Sequence, residues 1–309
     1  LKEDIASKLA KANDCTIGDL PSVQFKGKGN KLDKNAQDLL ASIAQKMAAN
    51  PTSKIKVIGY GATDKKAQQA SWERVNAVIN LAGAGVGDKR WTSLYKNEIL
   101  NSRVSSTRTI AKAVEELKPD VFISASAVGW YGETGDRAVT EADRGGDDFL
   151  ARVCLEWERA ADGAPSVRTT KIRTGLVLDP TGGALGRMMP LFKFGLGGKL
   201  GSGKQWWSWI TVHDQVRAID FLIDHEIAGP VNLTAPNPAT NSEFTAALAR
   251  ALKRPALLPV PGFALKLTLG GFSTEILGSK RVLPAVLDEA GFVFDFPHLA
   301  PALAKLAAQ

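Results

Sequence analysis

VINLAGAGVGDKRW, residues 78–91, is the stretch whose reading decides the fold. It opens as a buried strand, VINLA, passes into a glycine-rich turn and ends in a basic segment. Dinucleotide-binding α/β sheets present a cofactor-contacting strand end in this way, because small residues let phosphate and ribose approach the backbone without meeting a Cβ. A tight turn that merely needs glycine would read the same. Such a sheet ordinarily carries a G-x-G-x-x-G or G-x-x-G-x-x-G turn near its start, and none followed by a full βαβαβ half-domain precedes residue 78. The expectation is a nucleotide-binding enzyme whose first part has been replaced.

Working upstream, IKVIGYGATDKKAQQ (55–69) has strand, glycine turn and helix in the right order. Its turn holds Gly59 and Gly61 but places Asp64 where a third glycine belongs. A carboxylate at a helix N-terminus occupies the anion site and repels pyrophosphate. Before it, SVQFKG (22–27) alternates as a strand. Asp33 caps a helix of about 34–49 with Leu39, Leu40, Ile43 and Met47 on one face. A second strand at 54–60 and a helix at 65–76 complete a β-α-β-α pattern before VINLA. Joined as right-handed βαβ units, these strands would extend the sheet past the VINLA strand and cover its edge.

Length and composition set the outer bounds. A chain of 309 residues, 44% apolar and 23% charged, is globular and long enough for about two domains. The charge of +7 and pI near 9.3 suit anionic partners such as nucleotides, nucleic acid or cell-wall polymers, or simply a solvated basic surface. No run of five Lys/Arg argues for a nucleic-acid arm, so none is expected as partner. Cys15 and Cys154 make neither a disulfide framework nor a zinc spacing, and three histidines argue against a His-rich metal site. No apolar run of 18 residues spans a membrane, and no signal peptide is recognised at Leu1; a cytoplasmic location is expected.

Downstream, residues 97–118 read as an amphipathic helix burying Ile99, Val104, Ile110 and Val114, with Arg103 and Thr107 four apart on one face. FISASAVGWYG follows as a strand with small hydroxyls, Ser124 and Ser126, at its carboxyl end, where open α/β sheets bind ligands. Cys154, mid-helix in FLARVCLEWE, reads as buried packing. IRTGLVLDPTGGAL is a buried strand with a Pro/Gly loop. GSGKQWWSWITVHD gathers Lys204, Gln205, Trp207 and Trp209 in a segment suited to stacking on a sugar or base, or to an aromatic hinge core. His213-Asp214 opens a helix of about 213–225, with His213 structural or near substrate and no metal expected. Residues 230–309 hold short strands and helices, the last 45 forming a small α+β cap.

Two resemblances organise these readings. SVQFKGKGNKLDKNAQDLLASIAQKMAANPTSKIKVIGYGATD and QQASWERVNAVIN, about residues 15–80, resemble the outer-membrane protein A-like peptidoglycan-binding domain. That resemblance implies Asp64 and Arg74 as the pair holding diaminopimelate, though their separation is shorter than the family's pattern. NAVINLAGAGVGDKRWT, ILNSRVSSTRTI, FISASAVGWYGETGD, DDFLARVCLEWE, IRTGLVLDPTGGAL, GLGGKLGSGKQWWSWITVHD and GPVNLTAPNPATNSEF resemble, in order, the atypical short-chain dehydrogenase/reductase branch described as sugar-nucleotide epimerase-like (YfcH-type). NAVIN would continue a helix in the first family and form a strand in the second. The expected organisation is a chimera: 1–76 an outer-membrane protein A-like βαβα segment, 77–309 a truncated NAD(P)-binding domain with its substrate cap at about 230–309.

The second resemblance implies a Rossmann-like, mostly parallel sheet with helices on both faces, and NADP or NAD as cofactor. Ala82, Gly83, Ala84, Ser124, Arg103, Thr174 and Gly175 would line it, Arg103 being equally readable as structural. Ser126 falls where the family places its catalytic Ser/Thr, and Tyr131 resembles the Tyr of a V-Y-G turn facing substrate. Arg187, Lys204, Trp207 and His213 would lie toward a nucleotide- or sugar-type substrate. Classical members need a Tyr-x-x-x-Lys helix; here Phe149 stands for the Tyr, and Val153 or Cys154 for the Lys. Glu133, Asp136 and Glu141 are the substitute bases in reach of speculation. The implied function is redox or epimerisation on a nucleotide-linked sugar, with activity expected to be impaired or absent. The alternative is a non-catalytic peptidoglycan-binding module on an α/β scaffold.

Overall fold

The computed structural model describes residues 77–308 and, as backbone, the strand Ile55–Val57. The readings at 22–27, 34–49 and 65–76, and the residues Asp64 and Arg74, lie outside the described residues. In chain order the elements are β1 (Ile55–Val57), β2 (Ala77–Asn80), α1 (Ser93–Leu117), β3 (Val121–Ala127), a 3-10 turn (Val128–Tyr131), β4 (Ala138–Val139), α2 (Phe149–Ala161), β5 (Arg168–Thr174), β6 (Leu176–Leu178) and α3 (Gly183–Lys193). Then come β7 (Trp206–Trp207), β8 (Trp209–Thr211), α4 (Val212–Asp224), β9 (Gly229–Leu233), β10 (Ala239–Thr240) and α5 (Asn241–Leu252). The chain closes with α6 (Gly262–Leu269), α7 (Ser273–Leu277), β11 (Arg281–Val282), α8 (Ala285–Glu289) and α9 (Leu299–Ala307).

The fold is α/β, with a mostly parallel central sheet ordered β1-β2-β3-β5-β9. β2 pairs parallel with β3, Asn80 opposite Ser124, and β5 pairs parallel with β9 from Thr170–Gly229 to Thr174–Leu233. NAVIN resolves as strand: Ala77–Asn80 is buried throughout. The KIKVIGY strand is present as Ile55–Val57 and does extend the sheet beyond β2, but it runs antiparallel, Ile55 opposite Asn80. A βαβ crossover joins parallel strands, so the expected right-handed crossover between these two is corrected.

Contacts divide the described chain into two compact units. The first holds β1 and residues 77–85, 98–124 and 157–169; the second holds 86–97, 125–156 and 170–308. In the first, α1 lays Ile110, Ala111 and Val114 against Val78 and Phe122, and Ala161, Ala164 and Val167 complete the cluster. All four apolar residues expected on this helix are buried, because they repeat at the helical period. Thr92 caps α1 by accepting the Tyr95 amide at 3.1 Å.

In the second unit a hydrophobic cluster joins α3, α5 and α9 around Leu178, Trp209 and Phe244. Thr211 caps α4 through the Asp214 amide, and Thr240 with Glu243 forms a reciprocal capping box on α5. Among the described residues, no helix is long and apolar enough to cross a membrane.

Candidate functional site

The first unit builds a polar strand end beneath the VINLAGAG turn. Asn80 is fully buried; its Nδ2 donates to Thr107 Oγ1 at 2.8 Å and its Oδ1 accepts the Ala82 amide at 3.1 Å. Trp157 Nε1 donates to the same Thr107 hydroxyl at 2.9 Å. Ser102 Oγ accepts the Ala84 amide at 3.0 Å. Two of the turn's amides are thereby held by α1 and by the strand's own asparagine, which fixes its shape. Arg103 lies across the turn: a Cβ on Gly83 would stand 3.0 Å from its Cγ and Cζ. Its Nη1 donates to Ile99 O at 3.0 Å, and its guanidinium faces the Trp157 ring at 4.9 Å.

Ser124, opposite Asn80, is fully buried and its Oγ has no hydrogen-bond partner. An orphaned buried hydroxyl, two small residues and a cation over a glycine fit an anionic, hydroxyl-rich cofactor. Asn80, Ser102 and Trp157 escaped the sequence reading, which placed Thr107 on a helix face with Arg103 and no further. The one available signal was a polar residue closing the apolar run VIN.

The second unit carries the other expected residues. Ser126 is buried at the carboxyl end of β3. Tyr131, in the turn that follows, is 4% exposed; its hydroxyl donates to Asn232 Oδ1 at 2.7 Å and accepts from Arg173 Nη1 at 3.1 Å. Arg173, also buried, stacks over the Trp130 ring at 4.0 Å. Burial pushes the phenol pKa up to about 12 against the lowering pull of Arg173, so Tyr131 is a neutral phenol with internal partners. Asn232 extends the network, its Nδ2 donating to Leu283 O at 2.9 Å and its amide to Glu141 Oε1 at 2.8 Å. Burial raises the Glu141 pKa, against backbone hydrogen bonds that lower it. Arg173 and Asn232 were missed, although an arginine inside the buried IRTGLVL run was a legible anomaly.

Thr174 accepts a long hydrogen bond from Gln215 Nε2 at 3.5 Å. Gly175 has a packing reason of its own: a Cβ there would stand 2.4 Å from Ser208 O. Arg187 pairs with Asp88 at 2.8 Å, both exposed. Lys204 is exposed, while Trp207 packs edge-on to Phe244 at 5.3 Å. His213 pairs with Asp295 at 2.6 Å in an exposed position. Its neighbour Asp214 is buried and accepts the Asp295 and Phe296 amides and Arg217. That carboxylate accepts three donors, two of them backbone amides, which ties the His213, Asp214 and Asp295 group into the structure. Glu133 takes the Ser279 amide with both oxygens, and Asp136 accepts the Trp206 indole at 2.9 Å.

Phe149 opens α2 and stands edge-on to Trp91, ring centroids 5.1 Å apart; the Lys96 ammonium lies 4.9 Å from the Phe149 centroid. Cys154 is buried as expected, its thiol 3.7 Å from Ala127 O.

A family model described as NAD dependent epimerase/dehydratase family matches residues 30–149, and a domain of unknown function, DUF1731, matches 260–306. An epimerase family protein of Mycobacterium leprae is 46% identical over 233 residues, 74% of this chain and 76% of that protein. The human epimerase family protein SDR39U1, isoform 2, solved with NADPH, superposes with a TM-score of 0.73 at 32% identity, covering 76% of this chain and 82% of that one. A nucleoside-diphosphate sugar epimerase of Corynebacterium glutamicum gives 0.60 at 33% identity, covering 76% and 46%. The first family match begins at residue 30, inside the stretch that resembles the outer-membrane protein A-like domain, and neither that resemblance nor a chimera gains support.

Proposed function

This chain belongs to the epimerase family, and from that premise we propose that it binds NADP(H) and uses it for redox or epimerisation chemistry on a nucleotide-linked sugar. One observation carries the cofactor half of the proposal: Arg103 laid across Gly83, above a strand end of small residues. Ala82, Gly83 and Ala84 offer backbone without bulk, Arg103 offers a fixed cation, and Ser124 offers a hydroxyl with no internal partner. NADPH in the similar human structure supports the same reading. The bound cofactor would supply or accept a hydride. Thr174 and Gly175 are proposed for its nicotinamide side.

Ser126 is proposed as the hydroxyl that hydrogen-bonds the substrate oxygen as charge develops. Tyr131 is proposed as a positioning residue, because its hydroxyl is committed to Asn232 and Arg173. Arg187, Lys204, Trp207 and His213 remain proposed for the substrate side. Calorimetric titration with NADPH tests the reading. Micromolar binding, weakened at least tenfold by Arg103→Ala and little changed by Ser126→Ala, is expected. A folded chain that takes up no NADPH at millimolar concentration sinks it.

A further inference from the structure

Reduction of a carbonyl needs a proton as well as a hydride, because the oxygen gathers negative charge as the carbon is reduced. A helix lacking Tyr-x-x-x-Lys does not supply that proton from its usual place. Several titratable groups of the second unit are committed. Tyr131 is held between Asn232 and Arg173. Glu133 and Glu141 accept backbone amides, and Asp136 accepts an indole. His213 is paired with Asp295.

Lys96 is different. Its side chain is half-buried, and its ammonium lies over two aromatic faces, Phe149 at 4.9 Å and Trp91 at 5.6 Å. Among the described residues it meets no carboxylate. Ring faces hold an ammonium in place weakly, by about 0.5–1 kcal/mol at exposed sites, and leave its N–H donors unspent. The platform is itself built. Trp91 Nε1 donates to Val86 O at 2.7 Å, and Phe272 packs against the indole with centroids 5.8 Å apart.

The platform also connects to the strand end that carries Ser126. Phe149 is the first residue of α2, and the next turn of that helix packs on the chain just beyond Ser126. A Cβ on Gly129 would stand 3.3 Å from Leu150 Cβ and 3.6 Å from Cys154 Sγ, and that thiol lies 3.7 Å from Ala127 O. We propose that Lys96 is a catalytic residue whose ammonium gives the substrate oxygen its proton, while Ser126 hydrogen-bonds the same oxygen. The inference rests on the NADP(H)-dependent reading above. In the reducing direction the carbonyl carbon takes a hydride, two electrons and a proton, from NADPH, which leaves as NADP+. The C=O π pair moves to oxygen, a Lys96 N–H breaks, an O–H forms, and the neutral amine regains its proton from water. The oxidising direction is the exact reverse.

Two experiments test it. The first needs no cofactor: the full chain is treated with benzaldehyde and cyanoborohydride and mapped by peptide mass spectrometry. An amine facing a carbonyl-binding niche is benzylated ahead of the exposed Lys305, which no reading places at the site; benzylation at Lys305 with Lys96 untouched overturns the proposal. The second follows NADPH-dependent reduction of phenanthrenequinone. Lys96→Met is expected to keep NADPH affinity within about twofold while turnover falls about a hundredfold. Lys96→Arg keeps the charge but cannot release a proton, and is expected to stay equally slow. Unchanged turnover in Lys96→Met, rescue by Lys96→Arg, or an unaltered chain that binds NADPH and reduces no quinone overturns the assignment. Failure of the unaltered chain to bind NADPH sinks the underlying reading first, and the proposal falls with it.

Discussion

Among the cations of the second unit that rest on aromatic rings, Arg173 and Lys96 are built to opposite ends. Arg173 is buried against Trp130 and Tyr131, and donates to a phenol that passes the chain of hydrogen bonds to Asn232 and on to Glu141 and Leu283. Lys96 is half-buried over Phe149 and Trp91, with its donors unspent among the described residues. The same ring–cation attraction therefore welds one region and merely parks the other. A network whose members hold one another specifies structure, because every member left unpaired costs desolvation energy. An open one is available to a ligand.

Stability measurements can break this contrast. Arg173→Met strips the phenol of its donor and leaves a packing defect, and is expected to lower unfolding free energy by about 3 kcal/mol in a urea titration. A loss below about 1 kcal/mol would mean the network does not hold the fold. Tyr131→Phe removes one hydroxyl from the middle of it and should cost about 2 kcal/mol, with NADPH affinity unmoved, if the residue positions rather than reacts. Lys96→Met should change the same unfolding free energy by no more than about 0.5–1 kcal/mol, the size of an exposed cation–π contact. A larger shift would make Lys96 a structural residue.

The smallest effect sharpens the comparison through pH. Burial raises the Glu141 pKa, so the folded state holds this proton more tightly than the unfolded one. That contribution is fully present below the ordinary carboxylate value of 4.5 and is lost as pH rises through the higher folded value. Glu141→Gln should flatten the stability–pH curve in that window. An unchanged slope would show that the carboxyl does not sense its burial.

How far the sequence could see is plain from particular residues. VINLA was legible as a strand because a short apolar run beside glycine has few other uses. The four buried positions of α1 were legible from periodicity alone. The direction of β1 was not, because alternation marks a strand without saying which way it runs. Asn80 was seen only as the end of a run; its partner Thr107 is 27 residues away, and Trp157 joins from 50 residues beyond that. Phe149 was read as a departure from a motif, but the ammonium beside it comes from a different helix, where no spacing rule reaches. Pairings made by tertiary packing leave no mark on local sequence.

The Trp157 indole gives the strand end an optical dimension. This chromophore is buried, hydrogen-bonded to Thr107 and faced by the Arg103 guanidinium at 4.9 Å. A charge so close to an indole tunes its emission energy, so any anion that draws Arg103 aside would change the colour and yield of that tryptophan. The turn that begins at VINLA thus has its own dye beside it, on α2, and a chain in which the six other tryptophans are replaced by phenylalanine would report occupancy of that turn by fluorescence alone.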